Sequence, residues 1–182
     1  MAKLISNTYA EALFELAVED NRIDDLYAQI DMLEKLFSEN PEFIDLLTHP
    51  HITKEEKMEA IEKTLKGRVD DEVVGLLRVV TEKDRASEIG NIFENFRAKV
   101  YDLKKIGVVQ ISSAVGLSEA QKKKIEDKLL KTTGFKSLET HYSVDKDLIG
   151  GMVIRIGDRV VDSSVRSKIE KMTAELRKVS LK

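Results

Sequence analysis

Apolar residues in this chain recur at two different periods, and the change falls near Ile106. Before it the spacing is helical almost everywhere. Ala10, Leu13, Phe14 and Ala17 form an i, i+3, i+4, i+7 stripe that predicts a first helix. A second begins near Asp24 with Leu26, Ile30, Leu33 and Phe37 on one face. Asn40-Pro41 reads as a cap followed by proline at the first helical position, and opens a short helix through Ile44 and Leu47. After the break at His49-Pro50-His51, Thr53 and Glu56 fit a capping box for a helix carrying Met58, Ile61 and Leu65, which Gly67 ends. Asp70 or Asp71 caps the next, with Val73, Leu77 and Val80 inward. A long last helix sets Ile89, Phe93, Phe96, Val100 and Leu103 along one edge. About six helices with short links predict an all-α bundle.

Two of these helices carry more apolar residues than one core face needs. The first adds Tyr9, Ala12 and Leu16 to its stripe, and the fifth adds Val74, Leu76 and Val79. Such a helix either sits centrally in its own bundle or exposes one face to a partner. A small bundle cannot easily centre two helices, which favours a groove between them that accepts an amphipathic helix.

From Ile106 the period shortens. Val108 through Ala114 is β-branched and small, and Gly116 ends it. Ser118 with Gln121 repeats the capping-box pattern and opens a helix rich in lysine: Lys122, Lys123, Lys124, Lys128 and Lys131. Leu138, Thr140, Tyr142 and Val144 alternate with polar residues, as in a half-buried strand. Met152 to Ile156 and Arg159 to Val161 flank Gly157-Asp158 and predict a hairpin. Ser163 or Ser164 caps a last helix with Val165, Ile169, Met172 and Leu176 at helical spacing. The predicted fold is an N-terminal six-helix bundle, residues 1–105, joined at Lys104-Lys105-Ile106-Gly107 to a small α+β domain, residues 106–182, of order β-α-β-β-β-α.

Charge sharpens this division. The chain has 182 residues and a net charge of −3. Residues 1–105 carry 15 basic against 23 acidic side chains, a balance of −8, and residues 106–182 carry 15 against 10, a balance of +5. The reversal suits two units with different electrostatic partners. With 42% hydrophobic and 35% charged residues the composition is that of a folded, helix-rich protein. The absence of cysteine excludes disulfides, thiolate zinc sites and thiol catalysis. No apolar run approaches the roughly 20 residues of a membrane-spanning helix. The opening Met1-Ala2-Lys3 leads directly into helical periodicity, without the apolar block of a secretory signal. The expectation is a protein that stays in the compartment where it is made and meets a membrane only through a partner.

Chemistry of its own finds little support. No G-x-x-x-x-G-K-[ST], G-x-G-x-x-G or G-x-S-x-G string occurs, so no phosphate loop or nucleophile elbow is visible. His49 and His51 flank a proline without a third ligand nearby, and the Asp70-Asp71-Glu72 cluster reads as a helix start. No catalytic residue, cofactor site or metal site is expected. The Lys122–Lys124 run lacks interleaved aromatics and reads as a solvated face. A nucleic-acid adaptor using the basic half is the main alternative, and it would bind RNA or DNA with steep salt dependence. An enzyme is the weaker one.

A longer motif gives direction. The stretch from Leu148 through Ile149-Gly150-Gly151-Met152-Val153-Ile154-Arg155-Ile156 to Gly157-Asp158 resembles the signature of the F-type ATP synthase delta subunit family. In mitochondria the family is called the oligomycin-sensitivity-conferring protein. The likeness extends upstream through Leu138, Thr140, Val144 and Asp145, and downstream through Val161-Asp162-Ser163-Ser164-Val165-Arg166. Tyr9-Ala10-Glu11-Ala12-Leu13-Phe14-Glu15-Leu16-Ala17 is similar to the family's opening helix.

The resemblance implies a non-catalytic stator subunit, present once per complex, that links the head of alpha, beta, gamma and epsilon subunits to the peripheral stalk of b subunits. It implies that the N-terminal domain binds the N-terminal helix of an alpha subunit on its first and fifth helices, here Tyr9, Ala12, Leu13, Leu16, Leu76 and Val79. It implies that the C-terminal domain meets the helical, highly charged ends of the b pair, for which the +5 balance would suit an acidic partner. Gly150, Gly151 and Arg155 are the candidate stalk contacts, although the two glycines also suit a strand start that needs backbone freedom or close approach. The implied location is the cytoplasmic face of a bacterial plasma membrane, reached through other subunits, with neither nucleotide nor nucleic acid bound.

Overall fold

A computed structural model describes residues 2–180, with side chains described from 4 to 177. Its chain divides into two compact units, Met1–Val100 and Tyr101–Lys182. Each is built around its own buried residues.

The first unit contains α1 (Ala2–Glu19), α2 (Ile23–Glu39), α3 (Pro41–Thr48), α4 (Lys54–Leu65), α5 (Asp71–Glu82), a short 3-10 turn (Ala86–Glu88) and most of α6 (Ile89–Lys104). Burial follows the helical stripes. Leu26, Ile30, Leu33 and Phe37 of α2 are buried, as are Ile61 and Leu65 of α4 and Val73, Leu77 and Val80 of α5. Aromatic rings tie helices together: Phe37 stacks between Phe43 of α3 at 5.5 Å and Phe93 of α6 at 6.1 Å. Phe14 meets Phe96 edge-on at 6.4 Å. Each such ring, taken out of water, stabilises the bundle by roughly 1.5–3 kcal/mol.

Several polar expectations change. Thr53 and Glu56 do form the reciprocal cap of α4, with the Glu56 N–H donating to the Thr53 hydroxyl at 3.3 Å and the Thr53 N–H to the Glu56 carboxylate at 3.0 Å. Asn40, expected to open α3, instead closes α2: its side-chain amide donates to the Leu36 carbonyl at 2.9 Å. Proline alone starts α3. Asp70 stands at the cap position of α5, but its carboxylate does not cap. It pairs with Arg22 and accepts from the Gln29 side-chain amide at 2.7 Å, while its own N–H donates back to the Gln29 side-chain oxygen at 2.8 Å. Partners more than forty residues away outcompeted the local backbone for this carboxylate. Leu103, read as the end of the α6 stripe, is 52% exposed because the bundle ends at Val100.

The second unit thus starts at Tyr101, five residues before the domain start at Ile106 expected from the sequence. Its first residue, Tyr101, is buried, and its hydroxyl meets the Glu139 carboxylate. The unit continues through β1 (Ile106–Ser113), α7 (Glu119–Thr133), β2 (Ser137–Val144), a short 3-10 turn (Lys146–Leu148), β3 (Met152–Ile156), β4 (Arg159–Asp162) and α8 (Val165–Ser180). The strands form one mixed sheet in the order β2-β1-β3-β4. β1 lies in the middle, parallel to β2 and antiparallel to β3, and β3 pairs antiparallel with β4 across the Gly157 turn. The register puts Val109 beside Thr140 and Ile156, and Ile111 beside Tyr142 and Ile154. Val161 pairs with Ile154, so it belongs to the same face. α7 lies on that face: its Glu126 carboxylate accepts from Thr140 at 3.0 Å and from Tyr142 at 2.9 Å. Burial and this contact with Glu126 push the Tyr142 phenol up to about 12. Gln121 reaches back to the Ser118 N–H at 2.9 Å to start the helix.

Among the described residues, one buried side-chain polar atom in the bundle has no partner. The Thr81 hydroxyl, on a residue 1% exposed, makes no hydrogen bond. Replacing it with the isosteric methyl of valine removes a desolvated donor without opening a cavity. Thr81→Val is expected to stabilise the chain by about 1 kcal/mol, read as a higher urea midpoint at unchanged slope.

Candidate partner-binding faces

α1 and α5 are held together at both ends. At one, the Ser6 hydroxyl donates to the Glu88 carboxylate at 3.0 Å and the Arg85 guanidinium donates to the Tyr9 hydroxyl at 3.2 Å. At the other, Arg22, which follows α1, meets Asp70 and, at 3.7 Å, Glu72 at the start of α5. The two helices therefore run antiparallel. With Tyr9 level with Arg85 and Arg22 level with Asp70, Ala12 and Leu16 come level with Val79 and Leu76.

Burial sorts the surplus apolar residues into two sets. Leu16 and Val79 are each 44% exposed, Ala12 is exposed, and Tyr9 and Leu76 are half-buried. Leu13, expected in the partner contact, is 2% exposed and belongs to the bundle core, so it supports the face from beneath. Val74, 7% exposed, has likewise joined the core. Ile5, four residues before Tyr9 and half-buried, prolongs the α1 stripe; the sequence reading passed over it, although the i, i+4 spacing would have found it. Glu15 and Glu19, three residues beyond Ala12 and Leu16, are exposed and by helical spacing run along the outer edge of this stripe.

In the second unit the three candidate stalk contacts separate. Gly150 and Gly151 make the corner where the chain enters β3 beneath the start of α8. The Gly150 carbonyl accepts the Val165 N–H at 2.9 Å, and a Cβ on Gly150 would stand 2.9 Å from a Val165 methyl. At Gly151, φ is +78° and a Cβ would stand 2.5 Å from the Ser163 carbonyl oxygen. Close packing of their own chain accounts for both glycines. Arg155 is exposed in mid-strand and pairs with Gln110 and Val160, on the sheet face opposite Ile154. The three residues do not form one site. Beside the glycines Ile149, a β-branched residue at φ +65°, is 65% exposed.

α8 is anchored by a residue the sequence reading gave no role. The Ser164 hydroxyl takes the expected cap, accepting the Ser167 N–H at 3.2 Å. Asp162 adds a second acceptor: its carboxylate accepts hydrogen bonds from the Ser167 hydroxyl and, at 2.8 Å, from the Ser164 N–H. The Ser167 bond, followed by those from Ser164, holds the Asp162 carboxyl down at about 2 against an ordinary 3.8. Beyond this anchor Val165, Ile169, Met172 and Leu176 remain 37–69% exposed. Among the described residues no three His, Cys, Asp or Glu side chains converge as metal ligands, and no helix is long and apolar enough to cross a membrane. His49 and His51 are exposed, their rings 5.6 Å apart.

A helical unit followed by a small mixed-sheet unit, each with apolar side chains left uncovered, defines the class of fold. The sequence model for the ATP synthase delta (OSCP) subunit matches residues 5–176. The chain is 49% identical, over all of both chains, to the ATP synthase subunit delta of Lachnoclostridium phytofermentans. It is 36% identical to that of Halalkalibacterium halodurans, with 94% of each chain covered. A chain in the cryo-EM structure of the Toxoplasma gondii mitochondrial ATP synthase hexamer shares the fold, with a TM-score of 0.75 at 18% identity over 94% of this chain and 96% of that one. The chain belongs to the ATP synthase delta (OSCP) subunit family.

Two outcomes follow from the corner and its anchor. Gly151→Ala combines a disfavoured backbone angle with a backbone clash and is expected to destabilise the chain by roughly 2 kcal/mol or more, read from urea unfolding. Because the folded carboxyl of Asp162 titrates below its unfolded value, its contribution is complete above about 3.8 and disappears as the pH falls through about 2. A carbon-detected NMR titration should show a midpoint near 2, and Ser167→Ala should raise it; an unshifted midpoint in the parent chain would contradict the anchor.

Proposed function

We propose that the chain is a non-catalytic stator subunit that joins the catalytic head of a bacterial F-type ATP synthase to its peripheral stalk, one copy per complex. The stator must keep the head from turning with the rotor during proton-driven synthesis, and a subunit with one interface in each of two units carries that load by binding alone. The first unit takes the N-terminal helix of an alpha subunit on the α1–α5 face. The second meets the b subunits. Its place is the cytoplasmic side of the plasma membrane, which it reaches through its partners.

The observation that carries this reading is the uncovered apolar face of Tyr9, Ala12, Leu16, Leu76 and Val79 in a chain of this family. An amphipathic helix laid along two antiparallel helices buries such side chains at i, i+3, i+4 and i+7 spacing. The clamps at both ends hold the face open before the partner arrives, which lowers the ordering cost of binding. Its acidic edge at Glu15 and Glu19 suits a partner helix with basic residues on that flank.

Ala12→Asp and Val79→Glu each place a charge where the docked helix would desolvate it. Each is expected to weaken binding of an alpha N-terminal peptide by roughly thirtyfold or more, about 2 kcal/mol, in isothermal titration calorimetry. Both positions are exposed in the free chain, so thermal stability should barely change. Wild-type affinity in both variants would remove the face from the alpha-binding role.

A further inference from the structure

β2 is an edge strand, and nothing in its sequence blunts that edge. The order β2-β1-β3-β4 leaves its outer backbone without a neighbouring strand among the described residues. Its eight residues, Ser137–Val144, include no proline, glycine or lysine, the residues that commonly keep an edge from pairing. Just past the strand the Asp145 N–H donates to the Ser113 carbonyl at 2.9 Å, which sets the alternation. Odd-numbered residues of β2 turn their backbone groups toward β1, and Leu138, Thr140, Tyr142 and Val144 turn theirs outward. The side chains of the same four lie on the α7 face, where Val144 is left 57% exposed.

We propose that this edge pairs antiparallel with the same edge of a second copy of the chain, about a two-fold axis through His141. In that register every outward residue meets an outward one: Leu138 stands opposite Val144 of the other copy, and Thr140 opposite Tyr142. Each such pair exchanges two backbone hydrogen bonds, and Leu138 covers the exposed Val144. An axis at Thr140 or Tyr142 would leave Val144 or Leu138 with no residue of β2 opposite it. The other edge strand, β4, has only four residues and offers about half as many bonds.

α7 supplies an independent match. Glu126 accepts from Thr140 and Tyr142, on either side of His141, and helical side chains lean toward the N-terminus, so the axis passes close to Ile125. Lys124, Ile125, Lys128 and Leu129 border the β3 side of the helix. Helical spacing then places Glu119, Ala120, Lys123, Asp127, Leu130 and Lys131 on the flank toward the open edge. With strands about 4.8 Å apart and α7 over β1 and β2, the two copies of α7 would run antiparallel about 10 Å apart, close to a normal helix-packing distance. Across the axis Lys123 meets Asp127, Glu119 meets Lys131, and Ala120 meets Leu130. Charges meet their opposites and a large side chain meets a small one, in the register that β2 sets by itself. The pairing belongs to the chain outside the complex and does not depend on the stator reading.

Sedimentation equilibrium of the full chain over a dilution series tests this. The parent is expected to be a dimer that dissociates on dilution. Val144→Lys sets an ammonium against Leu138 of the other copy, and Lys123→Asp sets a carboxylate against Asp127. Both positions are exposed in the single chain, so melting curves of dilute samples should match the parent, while the dimer Kd rises at least about tenfold. The exchange Lys123→Asp/Asp127→Lys is expected to restore the parent Kd, a recovery that a merely disturbed α7 would not show. A parent that stays monomeric at about 200 μM would overturn the proposal. So would a dimer whose Kd moves less than about twofold in both single variants, since its interface would then lie elsewhere, as on the exposed stripe of α8.

Discussion

Small units do not have enough chain to cover their own apolar surface, and both halves of this protein are shaped by that shortage. A bundle of about a hundred residues surrounds one core, and most of its helices need only one apolar stripe. α1 and α5 have spent one stripe on the core, through Ala10, Leu13, Ala17, Val73, Leu77 and Val80, and still carry another. The sheet unit repeats the situation in two layers. One helix lies over one half of one face, and the aliphatic residues of the hairpin β3–β4 wait beside it. In each unit the uncovered side chains adjoin the buried ones on the same elements, so whatever covers them extends a core that already exists.

Polar contacts decide where those surfaces lie. Asp70 acts at the junction of α1, α2 and α5 because Arg22 and Gln29 converge on it, and Ser6, Tyr9, Arg85 and Glu88 close the opposite end. Surface ion pairs alone are worth little. Here they fix which helix stands opposite which, and the apolar face between them inherits its spacing. In the second unit Asp162 and Ser164 do the equivalent for α8, directing a helix whose own side chains hold on to very little.

Periodicity made much of this readable in advance. The α2 stripe, the Thr53–Glu56 cap, the hairpin across Gly157 and the half-buried Leu138, Thr140 and Tyr142 of β2 depend on near neighbours, and near neighbours are what a sequence displays; Val144, expected to continue that set, is exposed. The errors share a cause. Leu13 and Ala12 are adjacent apolar residues on one helix, and only the position of α5 and α6 decides which of them is buried. Asp70 and Asn40 have the local chemistry of caps, yet each bonds elsewhere because a better partner arrives through tertiary packing or from the preceding helix. Leu103 continued a stripe past the point where there was a core to receive it. The uncovered aliphatic side chains of Met152, Ile154 and Val161 beside α7 left no signal, since they are defined by what α7 fails to cover.

The parallel pairing of β1 with β2 has a temporal side. Its partners, from Ile106–Ser137 to Ser113–Val144, lie about thirty residues apart with a helix between them, and the clamps of the bundle, Ser6–Glu88 and Arg22–Asp70, join residues farther apart still. During synthesis the N-terminal unit leaves the ribosome first. The bundle, with its clamped helix pair, can therefore be complete while the sheet still lacks its hairpin. A chain interrupted partway would present a finished first surface and no second one.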